Sequence, residues 1–212
     1  MKLKIISLTI HPNNNFGLTI NTDKFKDLSI LFKYFYDNVD EKTKSLKLKH
    51  DSFGLITLHI PSYQGRRRFL MKVETFPNLV FKVPYKSRGE EALALIKKEL
   101  SNIIQFIETF HIGLTKTKTV DGINLVSIPD IAPVAFLIDD ANNFGACVQI
   151  TATPCNKIPN FQGDKLQKKY YNQDWNVDNT KPENFAFMKN EDGSNKLVIL
   201  DTDGVFPYSN NI

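Results

Sequence analysis

A change in hydrophobic period near residue 86 constrains the fold of this chain more than any other feature. Before it, the strand-like segments FGLITLHIP, RRRFLMKVE and NLVFKVPY are separated by the turns SYQG and TFPN, which predicts an antiparallel meander. After it, SRGEEALALIKKELSNIIQFIETF has the periodicity of one long helix. Its predicted apolar face is formed by Leu93, Ile96, Leu100, Ile103, Ile104 and Ile107. Consecutive strands followed by a helix predict an α+β fold.

The sequence before the meander predicts three further elements. KLKIISLTI is typical of a strand, and a helix capped by Thr22 or Asp23 is predicted after the turn NNNFG. The lysine-rich stretch DEKTKSLKLKHD predicts an exposed connector. The apolar face of the helix is predicted to contain Phe25, Leu28, Leu31, Phe32 and Phe35.

Turn signals organise the sequence after the long helix. VDGIN predicts a hairpin turn before the short strands of LVSIPDIAPVAFLIDD and ACVQITA. Residues 156–183 are polar, and the basic piece KLQKKYY within them predicts one short helix. FAFMK and KLVILD are predicted to pair as a β-hairpin, because the turn NEDGSN between them contains Asp-Gly.

Length, charge and composition exclude some classes of protein. The 212 residues suit one large domain or two small ones, and 42% hydrophobic with 24% charged residues is ordinary for a globular protein. A net charge of +4 favours nucleotides, phosphate groups or anionic surfaces, but it is too small to indicate a nucleic-acid binder. The charge is therefore compatible with a nucleotide partner and gives no clear nucleic-acid role.

Cysteine usage and the N-terminal sequence favour a reducing, cytoplasmic compartment. Cys147 and Cys155 lack CxxC spacing and histidine neighbours, so free thiols are favoured over a zinc site or a disulfide. The first apolar stretch is short for a signal peptide and is interrupted by His11 and Pro12, although export by another route stays open. No segment approaches the ~20 apolar residues that a transmembrane helix needs.

Four polar residues occur in two pairs with the same spacing. Glu99 in the long helix follows Lys82 in a strand by 17 residues, and Asp201 follows Asn184 by the same number across one hairpin. Singly, each has an ordinary explanation, because strand lysines and helix glutamates are usually solvated and Asn and Asp are common in turns. Taken together, their order and spacing are more informative than any of the four residues alone.

The strings around these residues resemble the protein-kinase-like superfamily. FKVPY is similar to its V-A-I-K strand, DNTKPENFAF to its catalytic loop H-R-D-L-K-P-E-N, and VILDTDG to the strand that leads into D-F-G. The resemblance covers residues 53–206. It implies a kinase-like N-lobe over residues 53–140, with an antiparallel sheet and one long helix, and a reduced C-lobe over residues 141–212. Residues 1–52 would form a strand–helix extension.

The resemblance also implies ATP and Mg²⁺ as cofactors. In such a site Lys82 would neutralise phosphate charge and Glu99 would position it. Asn184 and Asp201 would hold Mg²⁺, and Asp203 would add a second carboxylate.

The sequence departs from the family pattern in its loops. Asn179 stands where the family has its catalytic aspartate, and Asp178 lies one residue away; with Lys181 these are the candidate catalytic residues. The phosphate-covering loop is represented by Gly65 and Arg66 in SYQGRRR, where the arginines would bind phosphate by charge.

The sequence therefore leaves three hypotheses for the function. Few residues follow the D-F-G-like motif, which predicts either a fragment of a longer protein or a minimal fold. A divergent kinase-like phosphotransferase is the first hypothesis. A pseudokinase that binds nucleotide or a partner protein as a scaffold is the second, and an unrelated α+β interaction module is the third.

Overall fold

The computed structural model describes eleven segments of the chain, and the structural statements below refer to them. They are residues 4–10, 16–21, 34–35, 45–59, 68–84, 92–110, 116–139, 144–156, 160–177, 181–190 and 192–207. The two helices are α1 (Ala92–Thr109) and α2 (Asn160–Tyr171). The strands are β1 (Lys4–Ile10), β2 (Phe16–Asn21), β3 (Ser45–His50), β4 (Gly54–His59), β5 (Arg68–Val73), β6 (Leu79–Pro84), β7 (Lys116–Val120), β8 (Ile123–Ile128), β9 (Ile131–Asp139), β10 (Phe144–Ile150), β11 (Trp175–Val177), β12 (Phe185–Lys189), β13 (Asn195–Ile199) and β14 (Val205–Pro207). The α+β class predicted from the sequence is confirmed.

The chain forms two compact units, and each is built from several segments. The first unit contains residues 1–98, 114–127 and 133–151, and the second contains 99–113, 128–132 and 152–212. Helix α1 and strand β9 each begin in one unit and end in the other. This division differs from the predicted boundaries after residues 52 and 140, because β1 to β3 and β10 belong to the first unit.

The sheet of the first unit has the strand order β9-β10-β6-β5-β4-β3. All neighbours in it are antiparallel, so the predicted meander of β4, β5 and β6 is confirmed. The predicted first strand is β1, which pairs with β9 and with β2. The predicted VDGIN turn joins β7 to β8, and its residues Asp121 and Gly122 have φ of 49° and 78°. Positive φ at both positions is what a type I′ hairpin turn needs.

Strand register places the core of the first unit on one face of this sheet. Directly paired residues of antiparallel strands share a face, so buried positions continue from strand to strand. The members of that face that are at most 1% exposed are Ile56, Leu58, Phe69, Met71, Val73, Leu79, Phe81, Val83, Ala135, Leu137, Ala146 and Val148. Phe35 joins the same cluster.

Helix α1 begins on the opposite face of the sheet, where Gly145 of β10 allows a close approach. A Cβ atom on Gly145 would lie 2.9 Å from the Cβ of Ile96 in α1. Lys82 is the partner of Cys147 across β6 and β10, and alternation places Cys147 on the same face as Gly145. Lys82 therefore lies on the face against which α1 begins.

We expect Gly145→Ala to destabilise the protein by about 2 kcal/mol, because an extra methyl group in a closed contact forces the helix and strand apart. Thermal or urea unfolding measures the change. Ser101→Ala, on an exposed position of the same helix, is the control and should change stability by less than about 0.5 kcal/mol. Equal stability of Gly145→Ala and wild type would contradict the close approach.

The second unit is organised around an aromatic cluster, the β12–β13 hairpin and the two-stranded sheet of β11 and β14. Phe106 of α1 contacts Phe110, Tyr170 of α2 and Trp175 of β11, with ring centroids 4.5, 5.0 and 5.1 Å away. Strands β12 and β13 form the predicted C-terminal hairpin, and β11 pairs antiparallel with β14. Ile131, at the start of β9, pairs in parallel with Ile199 of β13.

Several sequence predictions need correction or fall outside the described residues. The connector predicted in DEKTKSLKLKHD is wrong for its second half, because SLKLKH forms β3; Leu46–Lys49 are nonetheless exposed. In α1, Ile104 is half-buried and Phe106 is buried instead. The predicted short helix is confirmed as α2. Of the predicted helix after Thr22, only residues 34–35 are described, and they are helical; the SYQG turn lies outside the described residues.

Two further observations concern the whole described chain. Neither Cys147 nor Cys155 forms a disulfide. Among the residues described, no helix has both the length and the apolar character to cross a bilayer.

Candidate metal and phosphate site

The β12–β13 hairpin brings Asn184 and Asp201 together. Asn184 precedes β12 and Asp201 follows β13, and the paired residues nearest to them are Phe185 and Ile199. The backbone N–H groups of Leu200 and Asp201 both donate to the carbonyl oxygen of Asn184, at 2.6 and 3.3 Å. Asn184 is buried, whereas Asp201 is half-buried. The sequence prediction that these two residues are neighbours at one end of the hairpin is thus confirmed.

A second strand pair, β11 with β14, flanks the residues that carry Asn184 and Asp201 along the chain. Val177 of β11 pairs with Val205 of β14, and Phe185 of β12 pairs with Ile199 of β13. Between these two strand pairs along the chain lie the described segments 181–184 and 200–204, which we call the paired loops. No sequence pattern predicts β11 or β14, because each strand is only three residues long.

Each paired loop contains a single 3₁₀ turn. In the first, Pro182–Asn184 forms the turn, and the Asn184 N–H donates to the Lys181 carbonyl at 3.0 Å. In the second, Thr202–Gly204 forms the turn, and the Gly204 N–H donates to the Asp201 carbonyl at 3.0 Å. Asp203 lies within this turn, two residues after Asp201, and is half-buried.

Glu99 of α1 holds the second paired loop through a residue that the sequence reading did not single out. The hydroxyl of Thr202 donates a hydrogen bond to Glu99 Oε1, and both residues are almost fully buried. Thr202 lies between Asp201 and Asp203, so this bond fixes the backbone that carries the two carboxylates. A hydroxyl residue between two aspartates, as in DTDG, is the signal that could have pointed to it.

The remaining predicted site residues are distributed as follows. Lys82 is half-buried in β6 and belongs to the first unit, whereas Glu99, Asn184, Asp201 and Asp203 belong to the second. Lys181 is exposed next to the first 3₁₀ turn. The other candidates lie outside the described residues; they are Gly65, Arg66, Asp178 and Asn179.

The donors of the paired loops fit a hard divalent cation that has other ligands as well. Asn184, Asp201 and Asp203 offer amide and carboxylate oxygens, which Mg²⁺ prefers to nitrogen or sulfur. Within the described ranges, no group of three or more His, Cys, Asp or Glu is arranged to hold a metal by itself. Mg²⁺ is commonly bound by one or two carboxylates together with substrate phosphates and water, so this donor set suits a phosphate-bound metal better than a structural one.

A buried ionic network stabilises the second unit beyond the paired loops. Asp130, in the turn before β9, accepts hydrogen bonds from Lys169 Nζ at 2.5 Å and from the Tyr170 hydroxyl at 2.6 Å, both on α2. Its other carboxylate oxygen lies 2.7 Å from Lys196 Nζ of β13. The Asp130 carbonyl also accepts from the N–H of Ile199, at 2.8 Å. One residue therefore connects α2, β13 and the start of β9.

The protonation states in this network follow from burial and from its partners. Burial acts to raise the pKa of Asp130, but the hydrogen bonds from Lys169, Lys196 and Tyr170 outweigh it, and the pKa lies below its ordinary value. Burial and the neighbouring Asp130 carboxylate both raise the pKa of Tyr170. Asp130 is therefore ionised and Tyr170 protonated at neutral pH. Since every oxygen of the Asp130 carboxylate has a partner within the unit, we regard the network as structural.

The candidate site is thus the open end of the β12–β13 hairpin. It contains the amide of Asn184 and the carboxylates of Asp201 and Asp203, and Thr202 between the two aspartates is hydrogen-bonded to Glu99. Its local order along the chain is a Lys-Pro-Glu-Asn turn, a hairpin, and an Asp-Thr-Asp-Gly turn. In comparisons with known proteins, no family model, no curated protein and no solved structure matches the chain.

Proposed function

We propose that this chain is a divergent kinase-like phosphotransferase that binds ATP and Mg²⁺ at the paired loops. The observation that carries the proposal is the pair of N–H bonds from Leu200 and Asp201 to the Asn184 carbonyl, which sets two predicted metal ligands side by side. Asp203 and the Thr202–Glu99 hydrogen bond give additional support. Phosphoryl transfer depends chiefly on positioning and charge stabilisation, and both can come from a small number of fixed groups.

Each described residue would have a defined task in such a site. Asn184, Asp201 and Asp203 would hold the cation, which when bound neutralises phosphate charge and orients the phosphates. Glu99 would keep the two aspartates in place through Thr202. The exposed ammonium group of Lys181 is suited to a second contact with phosphate oxygens. For Lys82, contact with the phosphates is the role that the family resemblance implies.

A pseudokinase is the second candidate, and one feature of the sequence favours it. The residue five positions before Asn184 is Asn179, an amide that cannot accept a proton as a carboxylate does. Asp178 is the nearest carboxylate in that loop. A chain without this base would bind nucleotide with Mg²⁺ and act as a scaffold or regulator with little or no phosphoryl transfer.

We expect ATP with Mg²⁺ to raise the melting temperature of the protein, and Asp201→Ala to remove that shift. A ligand at a hundred times its Kd stabilises the folded state by about 2.7 kcal/mol, a shift of roughly 8 °C for a chain of this size. Asn184→Ala should reduce the shift in the same way. Asp192→Ala is the matched control, because Asp192 is an exposed aspartate at the far end of the same hairpin.

Three outcomes of this titration decide between the hypotheses. No shift with ATP, in the presence or absence of Mg²⁺, would reject the nucleotide site and favour an interaction module. A shift that survives Asp201→Ala would reject the metal assignment. A shift that Asp201→Ala abolishes, with hydrolysis or transfer of radiolabelled phosphate in the wild type, would support the phosphotransferase; the same shift without turnover would support the pseudokinase. Lys82→Ala tests the role implied for the lysine.

A further inference from the structure

Strand β3 is the last strand in the order of the first unit's sheet, and its sequence alternates. It pairs with β4 along its whole length, and it pairs with no second strand among the described residues. All four residues Leu46–Lys49 are exposed. An edge strand of this kind offers a row of backbone N–H and C=O groups to another strand.

One side of β3 continues the hydrophobic core without closing it. Leu46 and Leu48 are paired with Leu58 and Ile56, which are 0% exposed, so all four side chains share the core face. Yet Leu46 and Leu48 are 39% and 38% exposed. The apolar layer therefore ends at β3 with its last two leucines partly in water, although one more strand would cover them.

The other side of β3 is cationic. Lys47 and Lys49 are paired with Thr57 and Leu55 of β4, and both lysines are exposed. The four strands β3 to β6 contain no Asp or Glu, although Glu74, directly after β5, accepts a hydrogen bond from the N–H of Leu55. A cavity of about 270 Å³ is lined by Thr57, Lys72 and Glu74 together with apolar side chains.

We propose that the edge of β3 that pairs with no other described strand binds an extended segment of a partner protein in which apolar and acidic residues alternate. Its apolar side chains would cover Leu46 and Leu48, its acidic side chains would face Lys47 and Lys49, and its backbone would continue the sheet. Strand addition of this type draws affinity from backbone hydrogen bonds and specificity from alternate side chains. This inference is independent of the nucleotide site.

Charge and composition argue against two other occupants. A second copy of β3 would place lysines next to lysines, and like charges across a strand pair are destabilising. A single-stranded nucleic acid would use the lysines, but the sequence places no Phe, Tyr or Trp on the lysine face of β3 to β5 for bases to stack on. It would also leave Leu46 and Leu48 uncovered.

The test uses a labelled peptide of alternating valine and glutamate, titrated against the full chain by fluorescence anisotropy. We expect a peptide of alternating valine and lysine to bind at least about tenfold more weakly, because opposite charges attract and like charges repel across a strand pair. The double variant Lys47→Glu/Lys49→Glu should reverse this preference. Lys165→Glu/Lys168→Glu, which makes the same change of net charge on exposed positions of α2, should retain it.

Two further peptides distinguish strand addition from simple charge attraction. They carry N-methyl groups on alternate backbone amides, one set for each edge of the peptide strand. One of them should lose binding and the other should keep it, because only one edge faces β3. Equal binding of both, or of a scrambled peptide, would overturn the proposal. So would tighter binding of an oligodeoxythymidylate that Lys47→Glu/Lys49→Glu abolishes, which would assign the surface to nucleic acid.

Discussion

Phe106→Ala should destabilise the second unit by about 4 kcal/mol, since truncating a fully buried phenylalanine loses its apolar burial and leaves a cavity. The ring of Phe106 touches Phe110, Tyr170 and Trp175, so no single neighbour can fill the space. A loss of that size is a large share of the free energy of unfolding of a folded domain, which is typically about 5–15 kcal/mol. The expected result is a unit that is partly unfolded at room temperature in mild denaturant.

Trp175 provides a local readout for this experiment. It is the single tryptophan of the chain and is 2% exposed, so its fluorescence reports the unfolding of the second unit. Phe106→Leu, which keeps most of the buried volume, is the matched control and should cost less than about half as much. If Phe106→Ala unfolds at the same denaturant concentration as wild type, the cluster does not have the role assigned to it.

Asp130→Ala should destabilise the same unit by about 3 kcal/mol, or roughly 9 °C in melting temperature. The change leaves the buried Tyr170 hydroxyl without its acceptor and two ammonium groups without their counterion. It also places an alanine at φ of 63°, where asparagine or aspartate is better tolerated. The expected loss of stability is at the lower end of the range for a broken buried ion pair, because the side chains of both lysines are partly exposed to water.

The network also predicts how stability depends on pH. The pKa of Asp130 in the folded state is below its ordinary value of 3.8, so the stabilisation is fully present above that value. It is lost as the pH falls through the lower, folded-state pKa. Asp130→Asn keeps the backbone preference but removes the charge, so its acid unfolding should be flatter than that of wild type. Identical acid unfolding curves for the two proteins would contradict the assignment.

Local sequence patterns predict those helices, strands and turns whose formation depends on residues close together in the chain. The meander, α1, α2 and the hairpin closed by Asp192 and Gly193 are specified by periodicity and turn chemistry within each segment. The proximity of Asn184 and Asp201 could also be predicted, because a hairpin fixes which residues meet at its open end.

The remaining features depend on contacts that no local pattern encodes. Asp130 appears in the sequence as a turn residue, and its partners Lys169 and Lys196 follow 39 and 66 positions later. Glu99 and Thr202 are 103 positions apart. The lysines of β3 predict a solvent-exposed connector. They are exposed, but an edge strand can be exposed on both faces and still be hydrogen-bonded.

The interleaving of the two units along the chain has a consequence for how the protein is made. Residues 4–6 of β1 pair with residues 136–138 of β9, and β6 pairs with β10, which ends at Ile150. A nascent chain emerging from the ribosome can therefore pair β1 with β2 early, but the edge of β1 that pairs with β9 stays uncovered until residue 138 has been synthesised. For the same reason no uninterrupted piece of the gene encodes either unit alone, and a truncation before β10 would yield neither.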